Sequence, residues 1–487
     1  MKWKTKINHP LVLRIEGFLL LIEGLFMLTT LPVTYLYPNL HAFSMPFSAL
    51  ITLLTGFILL IATHKHKDDK TSSRDGVFIV CISWLVLSLF GAMPYLLSKS
   101  VPNFTDGFFE ALSGFTTTGA TILTRIEAVP KDILLWRSMT QWLGGLVIIV
   151  FTIAILPYLS MSGMQLFVAE INGINYDKLH PRIMHTVWRV WWLYLFFTLL
   201  ETLLLYLGDM DLFDALCHSL CTISSGGFST RTVSMGAFSN YSQVVVTVFM
   251  VLSGCNFSLL LLSLSWRSFA ILKNQEFRTF LLYTLIIGLG IGLVLVFARH
   301  MSLGSAFRES FFSVISTFTT TGFFVSDHSM WPAFLSIILF LLMFIGACSG
   351  STSGGVKIFR HLIFLNNSIL ELKRIIHPNA VLPVKVNGKA VSSSGVYKNI
   401  TFIFIYFLVF ILGAIVLLAI GIDFETSLGA SVATLSNVGT GIGHVGPGGS
   451  YVFFPLEAKW VLMLLMLLGR VELFSLITLL SRSFWKN

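Results

Sequence analysis

Long apolar runs separated by short polar ones dominate this chain, and the length of each run decides what it can form. A helix rises 1.5 Å per residue, so about 20 apolar residues cross the hydrocarbon core of a bilayer. On that measure, spans are predicted near 11–36, 43–63, 77–98, 133–160, 187–208, 241–265, 278–298, 332–362, 399–421 and 456–481. Four of the connections carry a half-apolar stretch of about a dozen residues, too short to cross, and then Thr, Ser and Gly. Stretches of that length are candidates for re-entrant helices. After an initial helix pair at 1–70, the unit of span, short helix, glycine turn and span recurs at 71–165, 166–265, 266–365 and 366–487. The expected fold is an all-α polytopic membrane protein.

Composition removes the alternatives. Of the 487 residues, 55% are apolar and 11% charged, against roughly 25% charged in an ordinary soluble domain. The mean hydropathy is +0.83. Even a large soluble fold leaves about a quarter of its unfolded surface in water, so the solvent here must be lipid. A soluble enzyme, a disordered chain, a collagen and a disulfide-stapled secreted module are excluded. The net charge of +9 sits between apolar runs, as in Lys65, Lys67, Lys70 and Arg74 or Lys357, Arg360, Lys373, Arg374, Lys385, Lys389 and Lys398. That placement is a topology signal rather than a nucleic-acid footprint, and it puts both termini in the cytoplasm. Cys81, Cys217, Cys221, Cys255 and Cys348 form no CxxC pair and read as small buried hydrophobes rather than zinc ligands or disulfides. The N-terminal apolar run continues too far for a cleavable signal.

The turns carry the candidate chemistry. Phe104–Gly119 reads FTDGFFEALSGFTTTG and Phe307–Gly322 reads FRESFFSVISTFTTTG, identical at 9 of 16 positions. Leu212–Gly227, ending TISSGG, and Phe424–Gly439, ending TLSNVG, fit the same register more weakly. One TTTG is an ordinary turn; four in one register, each between a short helix and a span, share a reason. Non-helical backbone at membrane depth survives only where it lines a water-filled cavity. Four such strands about one axis present rings of carbonyl oxygens that replace a cation's hydration shell. Glycine supplies backbone angles that a Cβ resists, and Thr and Ser add neutral oxygens. The turns hold no carboxylate, which disfavours a divalent ion and favours a monovalent one.

These turns, with QWLGG at Gln141–Gly145, GMQLFVAE at Gly163–Glu170, PRI at Pro181–Ile183, GACSGSTSGGVK at Gly346–Lys357 and LGRVELF at Leu468–Phe474, resemble the Trk/Ktr/HKT superfamily of potassium transporters. The likeness covers nearly the whole chain and is nearest to the membrane subunit of bacterial Trk potassium-uptake systems, which has two extra N-terminal helices. It implies four helix–pore-loop–helix repeats in pseudo-fourfold arrangement around one ion pore. The implied filter residues are Thr116, Thr117, Thr118 and Gly119; Ser224, Ser225, Gly226 and Gly227; Thr319, Thr320, Thr321 and Gly322; and Ser436, Asn437, Val438 and Gly439. In that family a serine at the first filter glycine goes with sodium permeation, so Gly119 implies preference for potassium. The likeness further implies potassium as permeating ion with no organic cofactor, a homodimer, and a cytosolic nucleotide-binding regulatory subunit of the TrkA type. It implies a bacterial plasma (inner) membrane and no nucleic-acid partner.

Gly346, Gly350, Gly354 and Gly355 interrupt the eighth span. So many glycines break a helix, and in the family this segment is an intramembrane gate loop below the filter; Gly350 and Gly354 also have the spacing of a small-residue helix contact. Arg470 lies deep in the last span, where a charge faces a cavity or a partner. The family sets an arginine here beside the gate; pairing with Glu472 and snorkelling are the alternatives. Lys357 follows the glycines, either as a gate residue or as a helix-end lysine. Asp106, Asp214, Glu309 and Glu425 sit near the outer ends of the short helices, where they read as N-caps that also draw cations. Gly441, Gly443 and Gly446 spell GxGxxG without a preceding strand, and His218 reads as packing. A coupled transporter drawing on Glu201, Arg470 and Glu472 is the rival reading. An intramembrane enzyme lacks a nucleophile–base pair or an HExxH motif.

Overall fold

The computed structural model describes residues 7–38, 41–64, 73–154, 179–264, 270–380, 382–471 and 473–485. Glu472 and the Gly163–Glu170 motif lie outside them, as do Lys65, Lys67 and Lys70. The described chain is helical, with α1 (His9–Leu28), α2 (Ser44–Thr63), α3 (Ser73–Gly91), α4 (Phe104–Phe115), α5 (Lys131–Ala154), α6 (Leu179–Tyr206), α7 (Leu212–Ile223), α8 (Asn240–Ser253) and α9 (Phe257–Leu264). The second half continues with α10 (Gln275–Arg299), α11 (Leu303–Phe318), α12 (Ala333–Leu342), α13 (Ile358–Ile376), α14 (Ser393–Ile420), α15 (Phe424–Leu435), α16 (Leu456–Arg470) and α17 (Leu473–Leu480). A two-residue parallel pairing joins Ile345–Gly346 to Val356–Lys357, and Lys385–Val386 pairs antiparallel with Lys389–Ala390.

The repeat unit is visible in the packing. In each unit a short helix leans on the long helix before it: α4 on α3, α7 on α6, α11 on α10 and α15 on α14. The short helices form the core of the molecule. Every residue of α4 from Asp106 to Phe115 is buried, and α15 is buried from Gly429 to Leu435. The long helices turn their leucines outward instead: Leu282, Leu285, Ile286 and Leu293 of α10 are exposed, while Gly288 and Gly292 face the rings of Phe311 and Phe307 on α11. In a protein whose solvent is hydrocarbon that outer face costs nothing. The N-terminal pair α1–α2 packs closely together, with α1 also against α3.

The spans are less continuous than the hydropathy suggests. Among the described residues five helices are long and apolar enough to cross alone, seven if two bent pairs count as one span each. The span expected at 241–265 is broken into α8 and α9, which meet at 101°, where Gly254 starts a turn and Asn256 caps α9 through Leu259 N–H at 3.1 Å. The span expected at 332–362 stops at Leu342 and becomes a helix again only at Ile358. The N-terminal run of 11–36 ends its first helix at Leu28 and restarts at Leu31 with a proline in the first turn. Hydropathy counts apolar side chains and is blind to where the backbone turns.

Candidate functional site

The short helices all enter from one kind of cap. Asn103, Asp211, Ser302 and Asp423 accept hydrogen bonds from the N–H groups of Asp106, Asp214, Ser305 and Thr426, at 2.9, 2.6, 3.4 and 3.0 Å. The caps expected at Asp106, Asp214, Glu309 and Glu425 are thus corrected. A capping side chain bonds the N–H three residues further on, so the cap stands before the acid rather than at it. Asp106 instead bonds Lys459 at 2.6 Å in a buried pair, and Asp214 pairs with Arg231 at 2.5 Å.

At their inner ends the four helices finish identically. Thr118, Gly226, Thr321 and Val438 donate their N–H groups back to Ser113, Cys221, Ser316 and Ala433 carbonyls at 2.8–2.9 Å, the six-to-one closure of a Schellman end. That closure forces the intervening residue into the left-handed region: φ is 51° at Thr117, 54° at Ser225, 56° at Thr320 and 54° at Asn437. The closing glycines follow two residues later at φ of 79°, 77°, 78° and 80° for Gly119, Gly227, Gly322 and Gly439. Non-glycine residues in this region cost about 1–2 kcal/mol each, so four in matched positions are over-determined by their surroundings.

Those surroundings are the other turns. A Cβ placed on Gly119 would collide with the carbonyl oxygen of Gly226, one on Gly227 with that of Thr321, one on Gly322 with that of Val438, and one on Gly439 with that of Thr118. First touches second, second touches third, third touches fourth, and fourth returns to first. The turns make a closed ring. The four glycines line a cavity of 140 Å³ whose wall also includes Thr121, Arg137 and Tyr451.

Side chains from the long helices, from the fourth turn and from the loop after it hold the ring. Gln141 donates from Nε2 to the Gly226 carbonyl at 2.6 Å and accepts the Phe228 N–H at 3.1 Å. A Cβ at Gly226 would run into that amide, so glycine stands here where the first turn has Thr118. In the fourth turn Asn437 donates to Thr118 Oγ1 at 2.9 Å and to the Met466 carbonyl at 3.1 Å, while the Tyr406 and Ser436 hydroxyls are 2.7 Å apart. Tyr451 and Thr440 donate to the carbonyls of Gly439 and Gly322 at 2.7 and 2.6 Å.

Residues 347–355 also lie against this ring, and none of them lines the glycine-lined cavity. The Gly354 N–H donates to Thr320 Oγ1 at 2.6 Å, Thr352 Oγ1 is 2.7 Å from Ser225 Oγ, and a Cβ on Gly354 would meet Ser436 and Asn437. The segment therefore touches three of the four turns, with Ser351, Thr352 and Ser353 buried. Buried Arg470 donates from Nη1 to the Thr352 carbonyl at 2.9 Å and from Nη2 toward Gly144 at 3.4 Å; its Nε has no partner. Lys357 donates to Ser353 Oγ at 2.8 Å and to the Ser353 carbonyl. Of the expected gate group, Gly350 and Gly355 have φ of 75° and 64°. A Cβ at Gly346 would collide with the Gly354 carbonyl. Small-residue helix packing is ruled out for Gly350 and Gly354, because neither is in a helix.

Sequence reasoning missed the second rank of residues. Glu110 and Arg137 form a buried pair at 2.6 Å, and Arg137 also donates to the Ser229 carbonyl at 2.9 Å. His218, expected only to pack, joins Asp214 O and Ser229 Oγ through its two ring nitrogens at 2.7 and 2.9 Å. A charge inside an otherwise apolar helix is the signal that could have found Glu110 and Arg137. The five cysteines are buried and free.

Known proteins resemble this chain over nearly its whole length. A family model described as TrkH, cation transport protein, matches residues 47–486. The chain is 38% identical to the Trk system potassium uptake protein TrkH of Vibrio parahaemolyticus, over 98% of this chain and 99% of that one. It is 37% identical to TrkH of Escherichia coli K12 with the same coverage, and 34% identical to TrkG of that strain over 97% of each. In three dimensions it resembles the crystal structure of the potassium transporter TrkH from Vibrio parahaemolyticus, with a TM-score of 0.90 over 99% of this chain and 35% identity.

Proposed function

The chain belongs to the TrkH family of cation transport proteins, and from that premise we propose that it takes up potassium through a channel-like pore whose filter is the ring of four turns. It is a transport protein, not an enzyme. The filter oxygens are those of Thr116–Gly119, Ser224–Gly227, Thr319–Gly322 and Ser436–Gly439, with the repeats at 71–165, 166–265, 266–365 and 366–487 following an N-terminal pair at 1–70. The closed order of contacts between the closing glycines and the neighbouring carbonyls carries this reading, because a ring of backbone oxygens is what a dehydrated monovalent cation needs. The inward C-termini of the short helices add partial negative charge where the ion loses water.

The segment Gly346–Gly355 acts as the gate, pinned beneath the ring by Thr352, Gly354 and Arg470. Arg470 also raises the barrier for a cation while it stays on Thr352. The protein works as a homodimer in a bacterial plasma membrane with both termini cytoplasmic, on a cytosolic nucleotide-binding subunit of the TrkA type. The relatives' printed name, a Trk system uptake protein, supports a multi-component assembly.

Liposomes holding the purified protein test this reading by flux of potassium, rubidium and sodium. Wild type is expected to pass potassium and rubidium well, Gly119→Ser to admit sodium, and deletion of Gly350–Gly354 to raise flux. A serine variant that behaves as wild type, with flux following the pH gradient, would replace the channel by a coupled carrier. Fully buried Glu201 is the observation that favours the carrier.

A further inference from the structure

The gate segment is also tied from its far side, by residues that the filter does not involve. Glu276 stands in the first turn of α10 and is 4% exposed. One of its oxygens, Oε1, accepts the Ser349 N–H at 2.6 Å, the Ser349 hydroxyl at 2.9 Å and the Phe359 N–H at 3.1 Å. Ser349 belongs to the gate segment; Phe359 belongs to the first turn of α13, and Lys357, the residue before that helix, offers no side-chain cap. A single carboxylate thus ties the middle of the excursion between α12 and α13 to the start of α13. Charge-assisted bonds of this kind are about twice as strong as neutral ones.

The residue before it leads outward. The Gln275 N–H donates to Asn387 Oδ1 at 2.7 Å, and the Asn387 N–H donates back to Gln275 Oε1 at 3.0 Å. Asn387 is the tip of the hairpin Lys385–Ala390, where Asn387 and Gly388 at φ of 51° and 75° make the two-residue turn. The same hairpin is held on α13 by Asn366, which donates to the Lys385 carbonyl at 3.0 Å. Lys385 and Lys389 are exposed. The hairpin, the start of α10, the gate segment and the start of α13 are therefore one hydrogen-bonded chain.

We propose that Glu276 is a positioning residue for the gate segment and that the hairpin 385–390 is the lever that moves it, through Asn387 and Gln275. This rests on the gate reading given above. A pull on the hairpin shifts the first turn of α10, Glu276 releases Ser349, and the segment loses its hold on the side away from the filter. Two adjacent residues bonding in opposite directions give the contiguous physical link that such coupling requires.

The test measures rubidium and sodium flux in liposomes for full-length wild type, Glu276→Ala, Glu276→Gln, Asn387→Ala and the Glu276→Ala/Asn387→Ala pair, with the Gly350–Gly354 deletion alongside. Glu276→Ala is expected to change rubidium flux by about 2- to 30-fold with an unchanged rubidium-to-sodium ratio. Asn387→Ala is expected to shift it in the same direction by less, and the double variant to match Glu276→Ala alone, since both act on one line. Wild-type flux in Glu276→Ala, or additive effects in the pair, overturns the proposal. Should Glu276→Ala not fold, Glu276→Gln and Asn387→Ala decide, and wild-type flux in both overturns it. If the deletion itself leaves flux unaltered, the gate reading falls instead.

Discussion

Glu110 and Arg137 meet at 2.6 Å with almost no solvent around either. Glu110 also accepts from Thr121 Oγ1 at 2.9 Å and Ile122 N–H at 3.0 Å, directly after the first turn of the ring, and Arg137 holds Ser229, directly after the second. The guanidinium carbon lies 3.5 Å from the centre of the Phe228 ring. Removing one partner leaves a buried charge unmatched, which costs about 3–5 kcal/mol, while removing both is far milder. Glu110→Gln is therefore expected to lower the melting temperature in detergent much more than the Glu110→Gln/Arg137→Met pair. A double variant whose loss equals the losses of Glu110→Gln and Arg137→Met added together would show that the pair carries no coupling.

The short helix is the element on which the site is built, and its two ends follow local rules. Its cap is a small polar residue three before an N–H that needs a partner, and its inner end closes by the six-to-one bond that puts Thr117, Ser225, Thr320 and Asn437 at positive φ. At the fourth helix the Thr426 N–H bonded to Asp423 holds that carboxyl below the usual carboxylate range. A lowered folded value means that the stabilisation is full above the unfolded value and is lost as pH falls through the folded one. Asp423→Ala is expected to cost about 0.5–2 kcal/mol at neutral pH and less in acid, by thermal melting at both. Asp423→Asn should keep most of the stability and show no such pH dependence. The segment Gly346–Gly355, by contrast, has little helix or sheet of its own, and its shape comes from Thr320, Ser225, Arg470 and Glu276.

For the molecule as a whole, the consequence of a closed ring is equivalence. Gly119, Gly227, Gly322 and Gly439 each face the carbonyl of the next turn, so a methyl group at any of the four disturbs the same ring. Alanine at each position in turn is expected to lower the potassium-to-sodium flux ratio, all four in the same direction. A ratio that responds at one position and ignores the other three would mean that the turns act separately. The equivalence is not complete in the supports: Gln141 braces the second turn, Asn437 and Tyr406 the fourth.

Much of this was already written along the chain. Run lengths near the bilayer thickness determined a membrane protein, and a short helix followed by Thr, Ser and Gly in one register determined four equivalent turns, because both depend on neighbours a few residues away. The acid residues near the helix starts misled for the same reason: Asn103 and Asp106 are equally plausible caps by composition, and only backbone direction separates them. What the tertiary structure alone decided spans long separations. Asn437 reaches Thr118 across 319 positions and Lys459 reaches Asp106 across 353, and the hold of Glu276 on Ser349 spans 73. Local periodicity carries no information about such contacts. They exist because the four turns are buried against one another, where each buried N–H, carbonyl and charge must find its partner within the protein rather than in water.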